Sequence, residues 1–226
     1  FGFQGGDLSN ALVTDPLNSM WLGPTQYLAA FTVVDSDEEF SAVGVTIDGI
    51  TDELGNALEL TVADAQFDLD TRNPLLYSMS VTPPVLGLLD VGSAALVITL
   101  EFDEVLNTAL TPDLVFTNDD PLFASLTPNI TNSSWVNDST YQKAYNLLNA
   151  DEELFAINAM LAGYEDLAGN PPSQTEFPDL FIVDTHRATV QAAVPSTLMV
   201  MDDQTSTGGF HIDIVCPEPM DIAFAP

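Results

Sequence analysis

Apolar and polar residues alternate with a period of two along much of this chain. Leu96, Ile98, Leu100 and Phe102 fall on one side of an extended strand, with Val97, Thr99 and Glu101 on the other. Phe210, Ile212, Ile214 and Cys216 form a second such set. Val43, Val45 and Ile47 form a third, alternating with Gly44, Thr46 and Asp48. Between the runs lie turn-forming clusters: Pro83-Pro84, Asn118-Asp119-Asp120-Pro121 and Asn170-Pro171-Pro172. Proline fixes φ, while Asn and Asp tolerate left-handed φ or bond back to their own backbone. Long helical periodicity is missing, and only a short turn around 151–154 has room to be helical. The pattern predicts an all-β chain of short strands.

The pattern also repeats. Tyr27–Asn56 and Tyr141–Asn170 both carry Asp-Glu-Glu, at 37–39 and 151–153, and both end in Gly-Asn, at 55–56 and 169–170. The spacing of 114 residues persists without a gap. It maps Trp21 onto Trp135, Phe67–Thr71 onto Phe181–Thr185, Leu96–Asn107 onto Phe210–Asp221 and Thr108–Pro112 onto Ile222–Pro226. So many landmarks in one register predict a 114-residue structural repeat. Asp70-Thr71 and Asp184-Thr185 each close an apolar run and read as repeat ends. Residues 72–185 are then one complete repeat. Residues 1–71 are the C-terminal part of a preceding repeat, and 186–226 the N-terminal part of a following one. A neighbouring copy or continuation of the chain would complete the two parts. Left alone they would expose unpaired strand edges. Head-to-tail assembly follows, as a continuous polyprotein or by strand exchange between subunits, and a contact that does not close gives a filament.

Short strands, frequent turns and about 110 residues per unit fit a Greek-key sandwich. Here the residues resemble a known group. Asp-x-x-Gly-Asn followed by an apolar strand and Asp-Thr occurs as Asp52–Asn56 with Phe67–Thr71, and again as Asp166–Asn170 with Phe181–Thr185. This is similar to the signature of the bacterial immunoglobulin-like (Ig-like) repeats of large surface adhesins and cell-wall proteins. Arg72-Asn73-Pro74 and His186-Arg187-Ala188 depart from the small residue and proline that usually follow Asp-Thr in that family. The resemblance implies tandem Ig-like Greek-key β-sandwiches of seven strands, an extracellular or cell-surface location, and calcium at domain junctions.

Charge narrows the choice of partners. The 226 residues hold 34 acidic side chains against three basic ones, Arg72, Lys143 and Arg187, for a formal charge of −31. Such a surface repels phosphates and anionic lipid, which excludes the footprint of a nucleic-acid binder. It attracts divalent cations and stays soluble in high salt. With 46% hydrophobic residues, the chain has enough apolar surface to fold. No uncharged apolar stretch reaches the roughly 18 residues of a membrane span. The single Cys216 rules out an internal disulfide. The opening Phe1-Gly2-Phe3 reads as the start of a mature or excised segment.

Calcium is the ligand this composition favours, because a hard cation takes six to eight oxygens from carboxylates and carbonyls. The candidate ligands are the repeat-end Asp70 and Asp184, combined with Asp52 and Asp166 of the loops before them. A purely structural role competes, since Asp and Asn can brace a turn in which glycine takes positive φ. The cluster Asp35, Asp37, Glu38, Glu39 is a second option, although Asn149 replaces Asp35 in the matched copy. Catalysis finds no footing. His186 and His211 map onto Arg72 and Val97, Cys216 replaces Phe102 on an apolar face, and no zinc spacing or phosphate loop occurs. Trp21 and Trp135 are expected to fill sandwich cores, with sugar binding on an exposed face as the alternative. Asn129, Asn132 and Asn137 head three Asn-x-Ser/Thr acceptor patterns for glycosylation. The expected role is a structural module of an extracellular filament, surface fibre or adhesin stalk. The alternative is a carbohydrate- or protein-binding module.

Overall fold

The computed structural model describes residues 1–59, 61–173 and 176–220. The stretch 221–226, matched in sequence to 107–112, lies outside the described residues. The first 71 residues contain β1 (Gly2–Gln4), β2 (Leu12–Thr14), β3 (Met20–Gly23), β4 (Gln26–Leu28), β5 (Phe31–Val33), β6 (Glu39–Ile47) and β7 (Thr61–Asp70). There follow β8 (Leu76–Thr82), β9 (Val85–Gly87), β10 (Gly92–Phe102), β11 (Asp113–Phe116), β12 (Leu126–Pro128) and β13 (Ser134–Asn137). Then come β14 (Thr140–Leu147), β15 (Glu153–Leu154), β16 (Ala159–Ala162), β17 (Glu176–Phe177) and β18 (Ile182–Asp184). A ribbon of β19 (Ala192–Pro195) and β20 (Ile212–Val215) closes the described chain. Three-residue 3-10 turns are the only helical elements among the described residues. The chain is all-β, and 151–154 ends in a strand instead of a helical turn.

The central unit is sandwich-like. One antiparallel sheet runs β12-β14-β10-β8, with β13 also on β14. The sheets β11-β16-β17 and β15-β18-β9 supply the other side, β9 lying parallel to β18. Leu96, Ile98 and Leu100 of β10 are fully buried, as the period-two pattern requires. They share one cluster with Tyr141, Tyr145 and Leu147 of β14, Leu114 of β11, Ala159 and Leu161 of β16, Val183 of β18 and Leu86 of β9. A smaller cluster of Leu8, Ala11, Val43 and Leu69 holds the first 71 residues together.

Pairings in the two halves coincide at a spacing of 114. Met20 faces Leu28 and Trp21 faces Tyr27 across β3–β4, as Ser134 faces Gln142 and Trp135 faces Tyr141 across β13–β14. The two Trp–Tyr ring pairs share a centroid distance of 5.2 Å, at 64° and 63°. Leu12↔Val33 on β2–β5 matches Leu126↔Leu147 on β12–β14. Ala192↔Val215 and Ala193↔Ile214 on β19–β20 match Ser78↔Glu101 and Met79↔Leu100 on β8–β10. Thr71 and Thr185 form the same latch. Each backbone N–H donates to the carbonyl of Glu38 or Glu152, at 2.9 and 2.8 Å, and each Oγ1 accepts the N–H of that glutamate. Left-handed φ recurs at Asp37 and Asp151, Ala42 and Ala156, Gly49 and Gly163, Gly55 and Gly169, Ala65 and Asp179, and Ala94 and Gly208. One pairing departs. Gly2 faces Thr46, whereas the register of Phe116↔Ala159 places it opposite Val45.

The burial of the matched residues differs sharply. Trp135 is half-buried against the central core and donates Nε1–H to the Leu110 carbonyl at 2.9 Å. Trp21 is 56% exposed, so the expected core position is corrected for this copy. Phe210, Ile212 and Ile214 are likewise exposed, and Cys216 is only partly buried. The physical reason is a missing neighbour strand. In the central unit β10 pairs alongside β14 within one sheet, whereas β3–β4 and β19–β20 are two-stranded pieces without that neighbour among the described residues.

Candidate functional site

The Asp-x-x-Gly-Asn loops fold in the same way. Asp52 Oδ1 accepts the N–H of Leu54 at 2.9 Å and of Asn56 at 2.8 Å, and Oδ2 accepts Asn56 Nδ2–H at 2.7 Å. Asp166 Oδ1 accepts the N–H of Gly169 at 2.7 Å and of Asn170 at 2.8 Å, with Asn170 Nδ2–H on Oδ2 at 2.7 Å. Gly55 and Gly169, at φ of 85° and 92°, supply the left-handed turn that brings Asn back to Asp. The carboxylate is the hub of the turn. Its bonds to the Asn56 side chain and backbone hold the Asp52 carboxyl below the ordinary range. Asp52 is exposed, but Asp166 is only 1% exposed.

The four candidate calcium ligands do not group as their order in the chain suggests. Asp70 meets Asp166 and Glu104, with carboxylate oxygens all within 4.8 Å of one another. Asp184 meets Glu153 and Glu218 within the same limit. Asp52 stands outside both groups, which corrects its expected pairing with Asp70. The partner of Asp70 is the Asp166 loop, 96 residues further along the chain, and Asn170 Nδ2 also donates to Asp70 O and Oδ1, both at 3.3 Å. Glu104 and Glu218 are separated by 114 residues, like Asp70 and Asp184, so each cluster contains an Asp–Glu pair at the same spacing. Glu104 and Glu218 belong to no motif that marks them as ligands. The signal was present, since both glutamates fall in the ungapped match of Leu96–Asn107 to Phe210–Asp221.

Among the described residues, Glu104 is the carboxyl whose pKa is raised furthest from its ordinary value. Its Oε1 is buried without a hydrogen-bond partner. Burial, then the negative charges of Asp166, Asp103 and Asp70, push it up to about 7, against a smaller opposing pull from Arg72. Arg72 is occupied by an ion pair with Asp103. The proton that native Glu104 keeps above the ordinary value of 4.5 is bound in the folded state and released by the unfolded chain. Stability therefore falls as pH rises from about 4.5 to about 7, and is flat above that. With solvent screening of this partly exposed group, the loss is on the order of 1 kcal/mol. Glu104→Gln is expected to remove it. Urea melts at pH 5 and pH 8 in excess chelator should show a smaller pH effect in the variant. An identical pH effect in both proteins would show that Glu104 is not its source.

The remaining candidates separate by exposure. Asn129 is 8% exposed and its Nδ2 donates to Ser93 Oγ at 3.0 Å and Asn146 Oδ1 at 2.7 Å. That nitrogen is engaged inside the fold, so Asn129 is corrected from glycan acceptor to structural amide. Asn132 and Asn137 are exposed. His186 Nδ1 lies 3.3 Å from Asp151 Oδ1, and His211 is exposed. Around Trp21 an open groove of about 400 Å³ is lined by Phe1, Tyr27 and Ile50, with Phe1 stacked on Tyr27 at 6.1 Å. A second groove of about 270 Å³ lies over Leu12, Val33, Phe67 and Leu69. Compared with known proteins, the chain matches no family model, no curated protein and no solved structure.

Proposed function

We propose that this chain is a structural module of an extracellular filament, surface fibre or adhesin stalk, made of Ig-like sandwich repeats 114 residues apart. The observation that carries the reading is the coincidence of strand register, Thr latch and left-handed positions at that spacing. Matched local geometry in tandem makes a rod, because each unit contacts its neighbours and little else. Residues 72–185 are one whole unit, 1–71 the end of another and 186–226 the beginning of a third. Antibodies against the chain are expected to decorate appendages on intact source cells at a regular axial interval. Labelling confined to the cell interior would overturn the reading.

Calcium at the junctions belongs to the same proposal. Three carboxylates within 4.8 Å match the oxygen spacing around a cation with ligands at 2.3–2.6 Å, and the orphaned Glu104 Oε1 is a ready donor. Asp70, Glu104 and Asp166 would hold one ion, and Asp184, Glu153 and Glu218 another, drawing two segments of the chain together. At a hundredfold excess over Kd an ion adds about 2.7 kcal/mol. Calcium is expected to raise the melting temperature by several degrees, and the gain from the first site to vanish in Glu104→Gln. A melt unchanged between excess calcium and excess chelator would remove calcium from the account.

One observation favours a second reading, a carbohydrate- or protein-binding module. Trp21 and Tyr27 form an exposed aromatic pair at the mouth of the first groove. Such a platform suits the face of a sugar ring. A glycan-array signal lost in Trp21→Ala would support it.

A further inference from the structure

We propose that the C-terminal ribbon of one copy of this chain completes the N-terminal half-unit of a second copy, with β20 pairing antiparallel along β4–β5 so that Ile214 faces Tyr27. The proposal rests on the repeat reading above, and the central unit is its template. There β10 pairs with β14, with Leu100 opposite Tyr141 and Thr99 opposite Gln142. Moving β10 forward and β14 back by 114 residues places Ile212 opposite Ala29, Asp213 opposite Leu28 and Val215 opposite Gln26. Among the described residues, β20 pairs only with β19, and β4 and β5 pair only with β3 and β2. Each therefore keeps one free edge where the central unit has a partner.

Burial separates the matched positions as the proposal requires. Ile98 and Leu100 are 0% exposed, while Ile212 and Ile214 are 52% and 54% exposed. Tyr141 and Leu147 are 3% and 1% exposed, while Tyr27 and Val33 are 39% and 61% exposed. Leu86 is 0% exposed, while its match Val200 is 60% exposed. β14 is one continuous strand, but its match is split into β4 and β5 at Ala29-Ala30, where no β10-like strand lies alongside.

The grooves of the first half accept the apolar segments of the last. Phe102 packs at 6.3 Å from Trp135 and 4.8 Å from Tyr164. The groove lined by Trp21 and Ile50, which match those two residues, is where Cys216, the match of Phe102, would seat. Leu86 lies opposite Val183 in the β9–β18 pair. The groove over Leu69, the match of Val183, is where Val200 would seat. Carboxylates reach these surfaces only at their margins and on β20, as Asp48, Asp68, Asp70 and Asp213, while two long stretches of them carry no charge. Residues 16–34 and 188–201 contain no Asp, Glu, Lys or Arg in a chain of net charge −31. Depletion of charge marks the centre of an interface. Trp21, Tyr27, Leu28, Val33, Val194, Phe210, Ile212 and Ile214 each leave on the order of 100 Å² open. Together these eight side chains supply on the order of 800 Å², the larger part of the roughly 1,200 Å² at the low end of what specific complexes bury.

The test is a disulfide between copies. In a Cys216→Ser background, full-length chains carrying Leu28→Cys are mixed with chains carrying Asp213→Cys and mildly oxidised. A covalent dimer is expected on a denaturing gel, and a ladder when both cysteines lie in one chain. Replacing Leu28→Cys by Gln26→Cys or Ala30→Cys, two residues out of register, should slow bond formation about tenfold. Ile214→Asp should abolish self-association in sedimentation while leaving the melting of the central unit unchanged. Association without the 28–213 bond, or bonding equally fast out of register, overturns this pairing. Chains that stay monomeric also overturn it, and leave the repeat reading standing, since repeats joined in one polypeptide make the same rod. A compact, non-elongated particle would sink that reading instead. Glycan bound at Trp21 by a chain that never self-associates would overturn the pairing in favour of the binding-module reading.

Discussion

Ile98→Ala is expected to cost the central unit about 2–5 kcal/mol. The same change 114 residues later, Ile212→Ala, is expected to leave folding almost untouched and to weaken self-association. Ile98 is fully buried on β10, between its own sheet and the opposing sheets, so truncation leaves a cavity that close-packed neighbours fill only partly. Natural domains are stable by only about 5–15 kcal/mol, so the loss is a large part of the whole, and a drop of about 10 °C or more in midpoint is reasonable. Ile212 is half exposed on a two-stranded ribbon and leaves no cavity when cut back. Surface changes of that kind fall within about 0.5 kcal/mol. Its cost should surface only when a second copy covers it, as a loss of about tenfold or more in the association constant. Urea melts of the monomer and sedimentation velocity over a concentration series read the two effects separately. Equal destabilisation of the monomer by both changes would mean that β20 already sits in a core of its own.

That contrast also marks what the sequence could convey. Period-two alternation at 96–102 placed Leu96, Ile98 and Leu100 on one buried face, because a strand has no other way to hide three alternate residues. The identical alternation at 210–216 made the same local strand, yet left Phe210 and Ile212 in solvent. Pattern specifies which face is apolar, and burial then depends on whether the neighbouring strands and the opposing sheet are present. Trp21 and Trp135 diverge for this reason although their hairpins agree residue by residue. The junction carboxylates were half legible. Asp70, Asp166 and Asp184 stood out through Asp-Thr and Asp-x-x-Gly-Asn. The grouping of Asp70 with Asp166 depends on a contact between residues 96 positions apart in the chain. Glu104 carried no motif, and its unusual state comes from burial beside three carboxylates, which only the folded chain assembles. Asn129 was misjudged for a similar reason. Its acceptor pattern is local, whereas its bonds to Ser93 and Asn146 are not.

Asp166→Ala is expected to destabilise the central unit by about 3–4 kcal/mol, while Asp52→Ala, in the same motif, should barely move the midpoint. Both carboxylates brace a turn through backbone N–H groups and an Asn side chain at nearly equal distances, so the bonds alone cannot separate them. Burial does. Around the exposed Asp52, water replaces the lost acceptor for Leu54 and Asn56. Asp166 is buried, and its removal orphans the backbone and side-chain donors of the half-buried Asn170, each costing about 1–3 kcal/mol when left without a partner. One effect acts in the opposite direction. Asp166 is the largest charge contribution to the raised pKa of Glu104, so alanine also relieves a repulsion between carboxylates. The variant should therefore lose more stability at pH 5, where Glu104 holds its proton, than at pH 8, where wild-type Glu104 and Asp166 are both charged. Paired melts of the two variants at both pH values decide the matter. A large cost at Asp52 would show that burial is not what distinguishes the turns, and a pH-independent cost at Asp166 would break its proposed coupling to Glu104.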